Sequence, residues 1–232
     1  MEIPPPRSET VAGSAIPGLS PSESVILFGD RLAPTHDKPG YSDVRLPLSG
    51  RYTPLDGFAF DVLCSALGAL EAAGELELTI RPHKGLRGSD EWVAVRQLRA
   101  PHEWPLKSPE ARIGAWLYTQ PGNEAWLEDL IIHSMIPAVT NTPHRSAFEY
   151  LVAGLLERGV LEVVRRRAYV FFRISEYQVV EPWSATLARV RHRDVDESLL
   201  CFKLLGSDIR LKCLEAWDRG TRHRSDVGTA PV

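Results

Sequence analysis

The segment from Leu55 to Ala73 constrains the fold of this chain more than any other. Its large apolar residues recur at helical spacing, with alanine and glycine between them: Phe58, Val62, Leu63, Leu67 and Leu70. Asp56 is a suitable N-cap and Gly74 a suitable stop. Because this helix would be apolar almost all round, other elements must cover it on every side. The sequence therefore predicts a helical domain built around this segment.

The remaining patterns add helices and two hairpins. Residues 75–81 and 91–96 alternate apolar and polar with period two, which predicts a first hairpin. A second hairpin is predicted from strands at 160–164 and 168–174, with Arg165, Arg166 and Arg167 at or beside its turn. Helical spacing predicts five further helices, at 108–119, 123–135, 142–158, 194–205 and 207–217. The expected fold class is mainly α, a single globular helical domain with two short β-hairpins.

Three parts of the chain differ in composition. Residues 1–23 hold five prolines with several serines and glycines, which predicts a disordered tail. Residues 24–217 carry the periodic segments and form the predicted domain, in which residues 29–52 are rich in turn formers and read as an irregular connection. Residues 218–232 are polar and are expected to form a flexible tail.

Composition excludes several classes of protein. The chain has 232 residues, of which 44% are hydrophobic and 25% charged, as in an ordinary globular protein. The formal net charge of −3 disfavours a dedicated nucleic-acid binder. Its three cysteines form no C-x-x-C pair, and its first fifteen residues lack the apolar run of a signal peptide. Since no stretch approaches the ~20 apolar residues of a membrane span, we expect a cytoplasmic protein with at most peripheral membrane contact.

Sequence motifs for catalysis are not found. The spacings G-x-x-x-x-G-K-[ST], G-x-G-x-x-G and G-x-S-x-G, which build phosphate cradles and the nucleophile elbow, do not occur. The metal motifs H-E-x-x-H and paired C-x-x-C do not occur either. We therefore expect a protein that is not an enzyme, with no catalytic residues, metal site or cofactor.

Arginine is concentrated in one segment. Between residues 145 and 193 nine arginines stand against five glutamates, with no aspartate or lysine. The planar guanidinium is suited to bidentate phosphate contact. A solvated basic face is the plainer interpretation of this excess. The functional interpretation is attraction to an anionic surface, worth about 1 kcal/mol per basic residue near an acidic membrane.

Three segments in this order resemble the Golgi phosphoprotein 3 family, including its bacterial members. They are Leu67-Gly-Ala-Leu-Glu-Ala-Ala-Gly-Glu-Leu-Glu-Leu, then Trp126-Leu-Glu-Asp-Leu, then Leu155-Leu-Glu-Arg-Gly-Val-Leu before an arginine-rich hairpin. The resemblance covers about residues 24–217. It implies a mostly helical domain that binds membranes peripherally through phosphatidylinositol 4-phosphate. In eukaryotic members it also implies contact with the cytosolic tails of Golgi glycosyltransferases, which makes the protein a non-enzymatic adaptor.

The resemblance also implies a lipid site. The family uses a Trp and an Arg near the start of the central helix and two Arg in the helix before the hairpin. Counted without gaps, the first two positions fall on Pro54 and Leu63, and the last two fall on Arg145 and Phe148. Arg145 alone keeps the expected residue type.

The candidate lipid residues follow from these two lines of argument. Head-group binding is expected from Arg145, Arg165, Arg166 and Arg167. Tyr52, Leu55 and Phe58, near the start of the central helix, are candidates for a loop that enters the membrane interface. The plainer interpretation is that Phe58 begins a core helix, since such residues more often do so than enter lipid.

Two other classes of function stay open. A helix followed by Gly159 and a basic hairpin also fits a winged-helix nucleic-acid binder, although Glu149 and Glu157 on that helix would face phosphates. A scaffold that binds an acidic protein partner would keep the same fold without lipid affinity. The resemblance to the Golgi phosphoprotein 3 family also implies a surface for homo-oligomerisation at the hairpin 160–174, because some relatives self-associate there and the edge Tyr169-Val-Phe-Phe could pair in the same way.

Overall fold

A computed structural model describes residues 16–40, 42–85, 88–100, 103–136, 142–168, 173–200 and 205–226. Within them the fold is mixed and rich in helix, with small antiparallel sheets. The helices are α1 (Pro21–Leu27), α2 (Leu55–Ala72), α3 (Pro109–Tyr118), α4 (Leu127–Leu130), α5 (Pro143–Glu157), α6 (Glu181–Leu187), α7 (His192–Leu200) and α8 (Ser207–Asp226). The strands are β1 (Asp43–Arg45), β2 (Tyr52–Pro54), β3 (Leu76–Gly85), β4 (Gly88–Gln97), β5 (Glu124–Trp126), β6 (Leu161–Ala168) and β7 (Arg173–Val179).

The central helix is confirmed. Thirteen of the eighteen residues of α2 are buried, and α1, α3, α5 and α8 pack around it. Phe58 near its start contacts Phe148 of α5, with ring centroids 6.0 Å apart. The chain passes beneath Phe58 at Gly29, where an added Cβ would lie 2.4 Å from the ring. Gly74 ends the helix with φ at +68°, a conformation that glycine adopts without strain.

The sheets are more numerous than the sequence predicts. β3 and β4 pair from Leu76 opposite Gln97 to Gly85 opposite Gly88, as the first predicted hairpin requires. β5 adds to the other edge of β4, so the predicted helix at 123–135 begins only at Leu127 and continues as a wider π-helical turn over Ile131–Met135. β1 and β2 pair within the segment expected to be irregular.

The second predicted hairpin has different strand bounds. β6 runs to Ala168 and pairs with β7 from Leu161 opposite Val179, with a bulge between Val163 and Arg165. Arg165, Arg166 and Arg167 therefore lie near the end of β6, shortly before residues 169–172, which are outside the described residues. The buried residues Leu161, Tyr177 and Val179 determine this register, because a slip by one residue would turn them out of the core.

Helices extend into both segments that were expected to be tails. Ile16, Leu19 and all of α1 are buried. This helix starts where Ser20 and Glu23 form a reciprocal capping box. At the other end α8 continues to Asp226, and Thr221 is buried within it. Residues 1–15 and 227–232 lie outside the described residues. No helix in the described part of the chain has the length and hydropathy to cross a membrane.

Candidate lipid-binding surface and neighbouring sites

The predicted membrane loop is part of the core. Phe58 is 1% exposed and Leu55 is 5% exposed, so neither side chain can enter a lipid interface. Tyr52 is half-buried in β2, where its backbone exchanges two hydrogen bonds of 2.9 Å with His36. The membrane-loop prediction is corrected for Leu55 and Phe58: both are buried, and Phe58 packs against Phe148 of α5, which removes apolar surface from water. For Tyr52 it stays a prediction.

Arg145 lies in the first turn of α5 and is 9% exposed. Glu149 follows one turn later. Burial raises the pKa of the Glu149 carboxyl, and the positive charge of Arg145 opposes that shift. The helix therefore encloses Arg145 near an acidic side chain and does not offer it as an open surface donor.

The hairpin formed by β6 and β7, called here the arginine hairpin, is anchored at one end. Leu161 and Val179 are buried where the strands leave the core, whereas Val163 and Val164 are 41% and 43% exposed. The bulge at this point leaves Val164 without a partner in the register. Beyond it the backbone pairing places Arg165, Arg166 and Arg167 opposite Glu176, Ser175 and Ile174. Basic residues thus follow an exposed apolar pair along one strand.

Other arginines of the basic segment are engaged by acids of the protein. Arg158 forms an ion pair with the buried Glu23. Arg191 donates two hydrogen bonds, of 2.9 and 2.8 Å, to Asp194. Arg193 contacts Glu197 at 2.7 Å. The ion pairs of Arg191 and Arg193 offset positive charge at and just before the start of α7, and the pair of Arg158 with Glu23 does so at the end of α5.

Two buried carboxyl groups were not foreseen as a cluster. Glu110 at the start of α3 is fully buried and accepts hydrogen bonds from the backbone N–H and the hydroxyl of Ser22. Glu23 is also fully buried, and burial raises its pKa to about 7 despite its contacts with Arg158 and Ser20. The pattern Ser20-x-x-Glu23 is typical of the start of a helix. The contact between α1 and α3 has no such signal in the neighbouring sequence.

A groove lies along α3, β5 and α4 and was also missed. It has a volume of about 700 Å³, and Trp116, Trp126, Asp129 and His133 are among its lining residues. The Trp126 ring makes edge-to-face contacts with His83 and Trp92. These two rings are stacked on each other, with centroids 3.8 Å apart. Trp116 lies in α3 and Trp126 in β5, so their spacing in the sequence does not follow the period of a single helix or strand. Sequence spacing alone therefore does not reveal the groove.

Comparisons with known proteins give no assignment: no family model, curated protein or solved structure matches the chain. Among the described residues, no group of three or more His, Cys, Asp or Glu side chains is arranged to hold a metal ion.

Proposed function

We propose that this protein is a peripheral membrane adaptor that binds anionic lipid head groups through the arginine hairpin, with a fold of the Golgi phosphoprotein 3 type. The observation that carries the proposal is the succession of Arg165, Arg166 and Arg167 on β6 beside the exposed Val163 and Val164. Guanidinium groups attract head-group phosphates, and small apolar side chains next to them can enter the interface. The family resemblance supplies phosphatidylinositol 4-phosphate as the preferred lipid.

The charge distribution supports local contact with a membrane. The chain as a whole carries a net charge of −3, so an anionic surface would repel most of it at long range. The segment from Leu161 to Val179 holds four arginines and two glutamates, a net charge of +2. Attraction is therefore limited to the hairpin, and it falls off within a Debye length of ~10 Å at 0.1 M salt.

The winged-helix alternative receives less support. Its recognition helix would be α5, with His144 and Arg145 entering the DNA groove. His144 instead packs on Trp217 of α8, with centroids 5.8 Å apart, and its Nδ1 contacts the carboxylate of Asp56 of α2. Arg145 is 9% exposed. The end of α5 that would read DNA is therefore covered by two other helices.

Vesicle co-sedimentation tests the proposal. Full-length protein is mixed with vesicles of phosphatidylcholine alone, with added phosphatidylserine, or with added phosphatidylinositol 4-phosphate. Binding should require an anionic lipid and weaken as salt rises. Changing Arg165, Arg166 and Arg167 together to Ala should reduce binding by roughly one to two orders of magnitude, since each basic residue contributes about 1 kcal/mol.

The matched control is R191A/R193A, which removes two exposed arginines that already have acidic partners. It should bind nearly as the unchanged protein does. Equal losses in the two variants would show that only net charge matters, and the absence of sedimentation with every anionic vesicle at low salt would refute the proposal. Arg145→Gln addresses the family's site: a loss confined to vesicles with phosphatidylinositol 4-phosphate would place that head group at α5.

A further inference from the structure

The groove along α3, β5 and α4 is lined by two tryptophans together with acidic side chains. We call it the indole groove and define it by Trp116, Gln120, Trp126, Asp129 and His133. Two indole side chains from different elements border one open volume of about 700 Å³. That volume is within the range of small-molecule sites, which lie between about 300 and 1,000 Å³.

The electrostatics of the indole groove favour a cation. Neither lysine nor arginine is among its lining residues. Glu124 also lines it, but this carboxylate is paired with Arg81 at 2.6 Å. The Asp129 side chain forms no hydrogen bond or ion pair with any residue that the structure describes. One carboxylate without an ion pair thus borders the same groove as two indole side chains, and no lysine or arginine lines the groove to hold a phosphate or carboxylate.

The second indole is held in place before any ligand arrives. The Trp126 ring meets His83 and Trp92 edge to face, at centroid distances of 5.1 and 5.9 Å and interplanar angles near 85°. Arg219 lies over Trp92 at 4.8 Å and is itself tied to Glu128 at 2.7 Å. Because Trp126 is fixed by this stack, a ligand would lose little free energy in ordering it.

We propose that the indole groove binds a small soluble organic cation that carries a quaternary ammonium group. Indole faces attract such cations through the ring quadrupole, and a nearby carboxylate adds direct charge pairing. A primary ammonium or guanidinium group needs several hydrogen-bond acceptors to replace the water it loses, and the side-chain acceptors that line the groove include the carboxylate of Asp129 and the amide oxygen of Gln120. A quaternary ammonium donates no hydrogen bonds and contacts its site through methyl groups. It therefore gives up no hydrogen bonds to water when it enters the groove. The proposal is independent of the lipid-binding function.

Isothermal titration of the full-length protein with choline tests the proposal, with 3,3-dimethylbutanol as the control. This alcohol has the shape of choline without its charge. We expect choline to bind at least about fivefold more tightly than the alcohol, since cation–π contacts contribute about 1 kcal/mol or more. Equal affinity for both would overturn the proposal, as would no heat from choline at any concentration used.

Two variants locate the site. Trp116→Ala and Asp129→Asn should each weaken choline binding by about fivefold or more. Tyr118→Ala is the control for the first, because Tyr118 lies on the same helix, is 66% exposed and does not line the groove. Asp30→Asn, at an exposed position elsewhere, is the control for the second. If Trp116→Ala does not fold, Asp129→Asn decides alone, since it keeps the side-chain shape.

A lipid source is distinguished by the same assay with phosphatidylcholine vesicles. Binding of choline in solution supports a soluble ligand whatever the vesicles do. Sedimentation with phosphatidylcholine vesicles that Asp129→Asn abolishes, without binding of free choline, would overturn the soluble ligand in favour of a lipid head group. Unchanged choline affinity in both groove variants would place the ligand elsewhere and overturn the proposal.

Discussion

Ser22 donates to both carboxylate oxygens of Glu110, from its backbone N–H at 3.0 Å and from its hydroxyl at 2.9 Å. The two residues are 88 positions apart, at the first turns of α1 and α3, and both are fully buried. Glu110 thereby satisfies one of the free N–H groups at the start of α1. This contact fastens the N-terminal segment to the helical core, so α1 is an integral part of the domain.

Ser22→Ala should lower the free energy of unfolding by about 1 to 2 kcal/mol, because it leaves a buried carboxylate oxygen without its donor. Glu110→Ala should cost more, about 3 kcal/mol, since it strands both the hydroxyl and the backbone N–H of Ser22. Urea unfolding measures both losses. Ser42→Ala, at an exposed position, is the control and should change stability by less than about 0.5 kcal/mol. Equal effects of Ser22→Ala and Ser42→Ala would contradict a contribution from the buried contact.

The pH dependence of stability should follow Glu23. Burial raises its pKa from 4.5 to about 7, and the contacts with Arg158 and Ser20 oppose that shift. Because the folded state holds this proton more tightly than the unfolded state, the contribution of Glu23 is complete below pH 4.5 and is lost as pH rises to about 7. Asp61, whose pKa burial raises to about 6, acts in the same direction. The urea midpoint should therefore fall as pH rises from 5 to 7.

Glu23→Gln isolates this contribution. The variant cannot ionise at residue 23, so its midpoint should change less across the same pH range than that of the unchanged protein. Glu103→Gln, at an exposed position, should keep the full slope. A Glu23→Gln protein with an undiminished slope would mean that Glu23 titrates in the folded state as it does in the unfolded chain.

Stability and membrane binding should separate between the core and the arginine hairpin. Phe58→Ala should lower the free energy of unfolding by about 3 to 5 kcal/mol, because it removes a buried ring that contacts Phe148. While folded, this variant should sediment with anionic vesicles as before. The double variant Val163→Ser with Val164→Ser should weaken vesicle binding and change the free energy of unfolding little, since both residues are about two-fifths exposed. Weakened vesicle binding in a folded Phe58→Ala protein would restore the start of α2 as a membrane contact.

Local patterns were enough for the central helix and for the bounds of α3 and α5, although the predicted cap Asp56 lies inside the first turn of α2. The burial of α2 followed from its apolar residues on every side, and Ser108 caps α3 through a hydrogen bond from Ala111, as an N-cap should. Strand β5 was missed because Glu124-Ala-Trp126 is too short to show periodicity and gains its partners only from β4. The early start of the domain was missed because the polar residues of α1 are buried by contacts that span most of the chain.

The site residues illustrate the same limit. An aromatic residue before a helix is compatible with a membrane loop or with the core, and only the position of Phe148 decides that Phe58 belongs to the core. The count of arginines indicated a basic segment, but ion pairs such as Arg158 with Glu23 depend on residues 135 positions apart. Side chains that meet through tertiary packing, as Trp116 and Trp126 do at the indole groove, leave no periodic signal.

A close backbone contact gives the last prediction. Gly154 of α5 faces the turn before α3, where an added Cβ would lie 2.3 Å from the carbonyl oxygen of Lys107 and 3.0 Å from the N–H nitrogen of Ser108. These are backbone atoms and cannot move aside as a side-chain tip can. Gly154→Ala should therefore push α3 away from α5 and lower the free energy of unfolding by about 2 kcal/mol or more.

Gly57 provides the matched control, because it also lies inside a helix but an added Cβ would meet nothing within 4 Å. Gly57→Ala should raise stability by about 0.5 to 1 kcal/mol, since alanine lowers the entropy cost of forming the helix. The two identical substitutions should thus change the urea midpoint in opposite directions. If Gly154→Ala instead stabilised the protein as Gly57→Ala does, the backbone of Lys107 and Ser108 could not lie as close to α5 as the structure shows. The contact between α3 and α5 would then be looser than described.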